Sequence, residues 1–365
     1  MHQTIISIKR KIILISGLLF CLLSSSIFAQ DTTATKVSTP WWKGNYHWPK
    51  KNPKARNLPL IRVAGNKFID ANNDTLLFRG LSIADPDKID QEGQWKPELF
   101  NQLKEMGVRL VRIPVHPIAW RERTPDKYLV LLDSAVSWCT DLGIYVDIDW
   151  HSIGNLEMEL FQDAMYNTTQ KETYEFWRTI SSHFSGNNTV AFYELFNEPT
   201  TYRGQLGSVT WEQWKQLNEN IIHLIRAYDP ETIELVAGFD WAYDLTPLHE
   251  EPINATGIAY VTHPYPNKRS QPWEPKWEDD FGFAAQQYPV IATELGFGIR
   301  TGDPADGAAH YGTRITNFLE SHGISWLAWV YDPEWGPAML KTWKNYELTG
   351  CGEFFKKAML QNPAH

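Results

Sequence analysis

Cysteine is scarce here: three residues in 365 cannot build a disulfide scaffold. Positive charge is not in surplus either. There are 34 Lys and Arg against 43 Asp and Glu, a formal charge of −9, which argues against nucleic acid or an anionic membrane as the main partner. No G-x-G-x-x-G or G-x-x-x-x-G-K-[ST] segment follows an apolar run, so nucleotide binding has no support. No linker, low-complexity tract or short repeat interrupts residues 60–360, and past the N-terminus no segment approaches a membrane span. Aromatic rings, by contrast, are abundant: 17 Trp, 15 Tyr and 17 Phe. A 43% hydrophobic content excludes disorder as the main state. So many flat amphipathic rings suit stacking on sugars as well as core packing.

Lys9-Arg10-Lys11 precedes an apolar run over 12–23, and Ser24-Ser25-Ser26-Ile27-Phe28-Ala29 follows. A basic start, a short apolar stretch and a small final residue describe a secretory signal peptide, cleaved near Ala29. The expected location is therefore secreted, periplasmic or at the cell surface. The other reading of this segment is an uncleaved anchor. Its removal takes away three basic residues and no acidic ones, leaving a more acidic mature chain. Residues 30–59 read as a polar lead and an arm carrying Trp41, Trp42 and Trp48, and residues 60–365 as one catalytic-sized domain.

In that domain a short apolar run, a loop and an amphipathic helix recur. The runs are 76–81, 108–115, 144–150, 190–196, 233–239, 257–261, 290–294 and 324–330, with helical stretches such as 97–106, 129–142, 173–184 and 211–228 between them. Gly107, Gly143 and Gly323 fall where a helix ends and the next strand begins. Eight units in about 300 residues favour an α/β fold of the (β/α)8 TIM-barrel type over an open doubly wound sheet. Residues 61–74 read as a hairpin at the barrel bottom.

Chemistry in a barrel gathers where strands end and loops begin. Those points carry Arg112, with His116 beyond it, then Asp149-Trp150-His151, Asn197-Glu198-Pro199, His263-Pro264-Tyr265, Glu294 and Trp329. Polar groups at the ends of apolar strands are costly unless used or paired. Two carboxylates on opposite walls, Glu198 and Glu294, can flank one glycosidic bond, one donating a proton while the other attacks carbon or activates water. Asn197 can bond a sugar 2-hydroxyl, Tyr265 and Arg112 can donate to Glu294, and Trp329 can floor the reacting subsite. Trp150, Trp241 and Trp335 are further platforms, while His116 either lines the cleft or caps a loop. Asp147, Asp149 and Glu194 share inward parity and are expected to pair with Arg112 or other interior groups. Trp138, Trp177 and Trp214 read as helix-to-barrel packing, and Cys139 and Cys351 as unpaired thiols. His151 and His263 lack His-x-His or His-Glu-x-x-His spacing, so no metal site is expected.

Asn197-Glu198-Pro199 and Glu294, together with Arg112, His151, His263, Tyr265 and Trp329, resemble the active-site set of glycoside hydrolase family 5 over roughly residues 60–360. The resemblance implies a retaining mechanism without cofactor, Glu198 as acid/base and Glu294 as nucleophile. The expected activity is a secreted endo-β-glucanase cutting β-1,4 bonds in cellulose or mixed-linkage glucan, acting as a monomer on a polysaccharide or oligosaccharide. A β-mannanase or a β-1,3-glucanase or exo-β-glucosidase on the same machinery is the second reading. A non-catalytic carbohydrate-binding barrel is the third.

Overall fold

Strands that are apolar on both faces are stable only when both faces are covered, which is the situation inside an α/β barrel. A computed structural model describes residues 57–298 and 311–361 of the chain. There the eight runs become eight parallel strands: β1 (Arg79–Ile83), β2 (Leu110–Val115), β3 (Tyr145–Trp150), β4 (Val190–Glu194), β5 (Ile233–Ala237), β6 (Ala259–Val261), β7 (Val290–Leu295) and β8 (Ser325–Tyr331). Every residue of these strands is buried. Each strand pairs with the next, and β8 closes on β1. The expected signal peptide at 1–29, and the arm with Trp41, Trp42 and Trp48, lie outside the described residues. No helix among the described residues is long and apolar enough to cross a membrane.

The helices surround the sheet as the amphipathic pattern requires: α1 (Pro97–Glu105), α2 (Pro125–Leu142), α3 (Gln170–Phe184), α4 (Trp211–Arg226), α5 (Glu274–Asp280), α6 (Thr313–Ser321) and α7 (Gly350–Gln361). α4 starts with a reciprocal cap between Thr210 and Gln213, and α2 stops at Gly143, whose φ of 69° is the left-handed conformation a helix C-terminus uses. Gly107 and Gly323, at the other expected helix-to-strand junctions, also have positive φ. One repeat departs from the pattern. After β5 the chain makes only a four-residue turn, Phe239–Ala242, and a short 3-10 segment, Thr246–His249, before β6.

Two parts of the N-terminal reading need correction. The expected first run, 76–81, is split: Thr75–Leu76 closes a small antiparallel sheet and the barrel strand starts at Arg79. That small sheet is a three-stranded meander of Arg62–Ala64, Lys67–Ile69 and Thr75–Leu76, one strand more than the expected hairpin. Its apolar residues explain the split. Phe68 and Phe78 pack edge-on against Phe192 at 5.1 and 5.6 Å, beneath a barrel interior of Leu110, Ile233, Leu235, Ala259, Ile291 and Leu327. The meander thus seals the lower end with hydrocarbon, and the polar inward residues are confined to the upper half. Trp177 and Trp214 join helix to barrel as expected, each indole donating to a strand-end carbonyl, of Leu195 and Ala237, at 3.0 and 2.9 Å. Among the described residues Cys139 and Cys351 are buried and form no disulfide, and burial pushes the Cys351 thiol up to about 12.

Candidate active site

The pleat of β2 turns Arg112 into the barrel, where it is fully buried and must spend every donor. Its Nε and Nη2 clamp Glu194 at 2.7 and 3.0 Å, Nη1 reaches Glu294 Oε1 at 2.8 Å, and Nη2 also meets Asn197 Oδ1 at 2.6 Å and Asp149 Oδ2 at 2.9 Å. Asp149 and Glu194 thus pair with Arg112 as their inward parity leads one to expect, whereas Asp147, buried beside them, has no hydrogen bond to the guanidinium. Burial resists the charge on Arg112, but three carboxylates outweigh it and hold the guanidinium firmly protonated. Glu194, despite its own burial, is driven down to about 2 by Arg112 and by His263.

Glu294 depends on a local irregularity. Strict alternation from Ile291, which faces the interior, would send Glu294 outward. The ladder between β7 and β8 shifts register between Ala292 and Leu295, and both Thr293 and Glu294 point inward. Tyr265 then donates to Glu294 Oε2 at 2.8 Å, so each oxygen of Glu294 has its own donor. Burial, helped by the Glu198 carboxylate, raises Glu294 above the ordinary carboxylate range, while His263, Arg112 and Tyr265 oppose the rise.

Glu198 stands opposite. His263 Nδ1 meets its Oε1 at 3.0 Å, while His263 Nε2 meets Thr293 Oγ1 at 2.9 Å, and that hydroxyl donates to Glu194 at 3.0 Å. An imidazole with an oxygen at each nitrogen, among Glu294, Glu194 and Glu198, favours the charged form. Burial alone would lower it, yet the carboxylates lift His263 to about 9. One donor atom each from Glu198, His263 and Glu294 lie within 4.8 Å of one another, a grouping no sequence spacing announces. His151 differs: burial, with His116 and Arg112 nearby, holds it well below its ordinary value, and its Nδ1 faces Asp149 at 2.6 Å. Its ring lies parallel to Trp329 at 5.4 Å, and Trp329 also stacks on Trp335 at 6.2 Å.

Two cavities share Glu198, Tyr265 and Gly336. One, of about 510 Å³, is walled by His116, His151, Tyr166, Trp329 and Trp335, with Asn197 and Glu294 at its floor. The other, of about 920 Å³, runs past Thr200, Arg203, Trp241 and Lys268. His116 lines the cleft, with Nδ1 held by Asp85 at 3.0 Å and Tyr128 steadying the same carboxylate at 2.8 Å. Trp241 sits at the rim as expected, its indole donating to Gln162 at 2.8 Å and its face covered by Lys268 at 4.8 Å. Trp150 does not reach the cleft. One residue out of phase with Asp149 and His151, it points outward, donates to Thr173 at 3.1 Å and stacks on Phe176 at 4.1 Å. Sequence reasoning missed Tyr166, Lys268, Gln162 and Asp85, all in loops or turns brought in by chain closure. Thr293, next to Glu294, was the one with an adjacent signal.

Residues 69–334 match the sequence profile of Cellulase (glycosyl hydrolase family 5). The chain is 44% identical to a β-glucanase from Saccharophagus degradans solved in complex with cellotetraose, with a TM-score of 0.84, over 88% of this chain and 99% of that one. It is 25% identical to an endoglucanase of Clostridium saccharobutylicum over 82% of this chain and 64% of the relative. It is also 25% identical to endoglucanase E-5 of Thermobifida fusca over 75% of this chain and 56% of the relative. The matched segment thus spans between about half and two thirds of those two curated relatives.

Proposed function

Since the chain belongs to glycosyl hydrolase family 5, we propose that it is an exported endo-β-glucanase that hydrolyses β-1,4-glucosidic bonds in cellulose or mixed-linkage glucan with retention of configuration. The observation that carries the retaining mechanism in this reading is the carboxylate separation. An oxygen of Glu198 and one of Glu294 lie within 4.8 Å. Retaining enzymes hold the pair about 5–5.5 Å apart, whereas inverting ones need about 6.5–9.5 Å to admit a water. Export is supported by the basic, apolar and small-residue pattern of residues 9–29. The glucan substrate is supported by the names of the relatives and by the cellotetraose held by the Saccharophagus protein.

In the first step Glu198 gives its proton to the glycosidic oxygen while Glu294 attacks the anomeric carbon. The carbon–oxygen bond breaks, the leaving sugar departs as an alcohol, and a glycosyl ester on Glu294 remains. In the second step the ionised Glu198 takes a proton from water, whose oxygen attacks the same carbon and frees Glu294. Arg112 and Tyr265 keep the attacking carboxylate ionised and aimed. Asn197 Nδ2 is buried with no partner among the described residues, while Arg112 fixes its Oδ1, so the amide NH2 is left to donate to a sugar hydroxyl. All of these side chains come from one chain, so the chemistry calls for no second copy.

Product profiles on matched β-1,4-glucan, mixed-linkage glucan, β-1,3-glucan and β-1,4-mannan test the reading, with Glu294→Gln alongside. Mixed oligosaccharides from a β-1,4-linked glucan, reduced about a thousandfold or more in the variant, are expected. Single sugars only, or cleavage of mannan alone, would overturn the endo-glucanase assignment. Substantial activity in Glu294→Gln would overturn the nucleophile.

A further inference from the structure

Beneath the reacting carboxylates lies an acid that the mechanism above leaves idle. Asp147 is on β3, wholly buried, and neither of its carboxylate oxygens has a hydrogen-bond partner among the described residues. A buried charged group without partners is among the costliest arrangements a protein can hold. The ladder places Asp147 beside Arg112 on β2, yet all the guanidinium contacts go elsewhere, to Glu194, Glu294, Asn197 and Asp149. On its other side β4 brings Glu194 close: its side chain, adding to burial, raises Asp147, while its backbone N–H, a smaller influence, opposes that rise.

Glu194 has room for one more donor. Its two oxygens together accept from Arg112 Nε, Arg112 Nη2 and Thr293 Oγ1, three of about four lone-pair positions. A carboxylate with a vacant lone pair and an unpartnered carboxyl beside it are each satisfied if one proton lies between them. We propose that Asp147 is a positioning residue for the nucleophile: it is held as the neutral acid and donates its hydrogen to Glu194, which stays ionised and fixes the fork of Arg112 against Glu294.

The surroundings fix which partner keeps the proton. Facing the pair are Arg112 from β2, Asp149 from β3 itself, Glu294 from β7, and His263 just beyond β6, which reaches Glu194 through the Thr293 hydroxyl. Arg112 and His263 both favour the negative charge on Glu194 and drive it to about 2, whereas burial followed by the Glu194 charge raises Asp147 well above the ordinary range. One neutral acid in this layer also leaves fewer negative charges to be balanced by Arg112 and His263. The inference rests on the proposed retaining reading for its catalytic consequence, but its protonation claim does not depend on any activity.

The test compares Asp147→Ala and Asp147→Asn in the full chain. Removing the donor lets Glu194 and Arg112 shift, so Asp147→Ala is expected to lower kcat about tenfold with KM changed less than about twofold. The asparagine amide supplies the same donor without a charge, so Asp147→Asn restores most of that kcat and keeps the acid limb of the pH profile where the parent has it. An ionised Asp147 predicts the opposite, because Asp147→Asn would then remove a negative charge near Glu294 and move the limb to lower pH. Infrared difference spectra at neutral pH give a readout independent of turnover and of the Ala variant's folding. The carbonyl stretch of a buried protonated carboxyl is present in the parent and lost in Asp147→Asn. An unchanged band, a shifted limb in Asp147→Asn, or an Asp147→Ala variant with lowered thermal stability but parental kcat would each overturn the proposal. Failure of Glu294→Gln to abolish turnover would sink the retaining reading and leave the infrared result standing.

Discussion

Each oxygen of Glu294 has its own donor, and the two donors differ in kind. Arg112 is locked by Glu194 and Asp149 as well as Glu294, whereas the Tyr265 hydroxyl donates to Glu294 at 2.8 Å. Tyr265 is therefore the cleaner place to measure how the protein sets the ionisation of Glu294. Its hydrogen bond favours the ionised form, against burial, which already raises the group. Removing it in Tyr265→Phe shifts Glu294 further up, so the acid limb of kcat/KM moves to higher pH by about one unit, with a lower plateau. A pH titration of initial rates checks this, and a limb that stays in place would refute the assignment. At this scale much was readable in advance. Arg112, Asn197, Glu198, His263, Tyr265 and Trp329 each lie within a few residues of a strand end, and an apolar run ending in a polar group is visible in one dimension.

Elements are where simple patterning ran short. Trp150 and His151 are neighbours in sequence but lie on opposite faces of β3, and only parity counted from Asp149 separates cleft from packing. Glu294 breaks parity, because a register shift in β7 turns two successive residues inward. The packing is equally demanding at β1. A Cβ built on Gly80 would stand 1.9 Å from the Leu110 carbonyl oxygen of β2 and 2.9 Å from the Leu327 side chain. The backbone on one side is fixed by the ladder, so it cannot give way cheaply. Gly80→Ala is accordingly expected to cost about 3 kcal/mol or more, seen as a lowered midpoint in chemical denaturation. A midpoint within error of the parent would show that the two strands can separate there.

For the whole molecule, the division of the barrel into an apolar lower half and an ionised upper half makes stability depend on pH. His263 is raised from 6.5 to about 9 in the folded chain, so its contribution is complete below about 6.5 and is lost as pH rises through about 9. Glu194, lowered from 4.5 to about 2, contributes in full above 4.5 and loses its share as pH falls toward 2. Calorimetric Tm is thus expected to fall by about 5 °C between neutral pH and pH 9, and less in His263→Gln. A variant as pH-sensitive as the parent would place the titrating group elsewhere.

By itself the sequence determined the repeat, the fold class and the residues at the strand ends, because hydrophobic periodicity and the polar groups that interrupt it are local properties of a chain. Helix-stop glycines and inward parity on β3 and β4 were legible for the same reason. Closure of the sheet decided the rest. Only the closed barrel brings Arg112 against carboxylates from three other strands and sets Glu198 and Glu294 within 4.8 Å. Only the folded loops add Tyr166, Gln162 and Lys268 to the cleft. The protonation of the buried layer belongs there too, since a side chain's preference for charge is set by the burial and neighbours that distant segments supply.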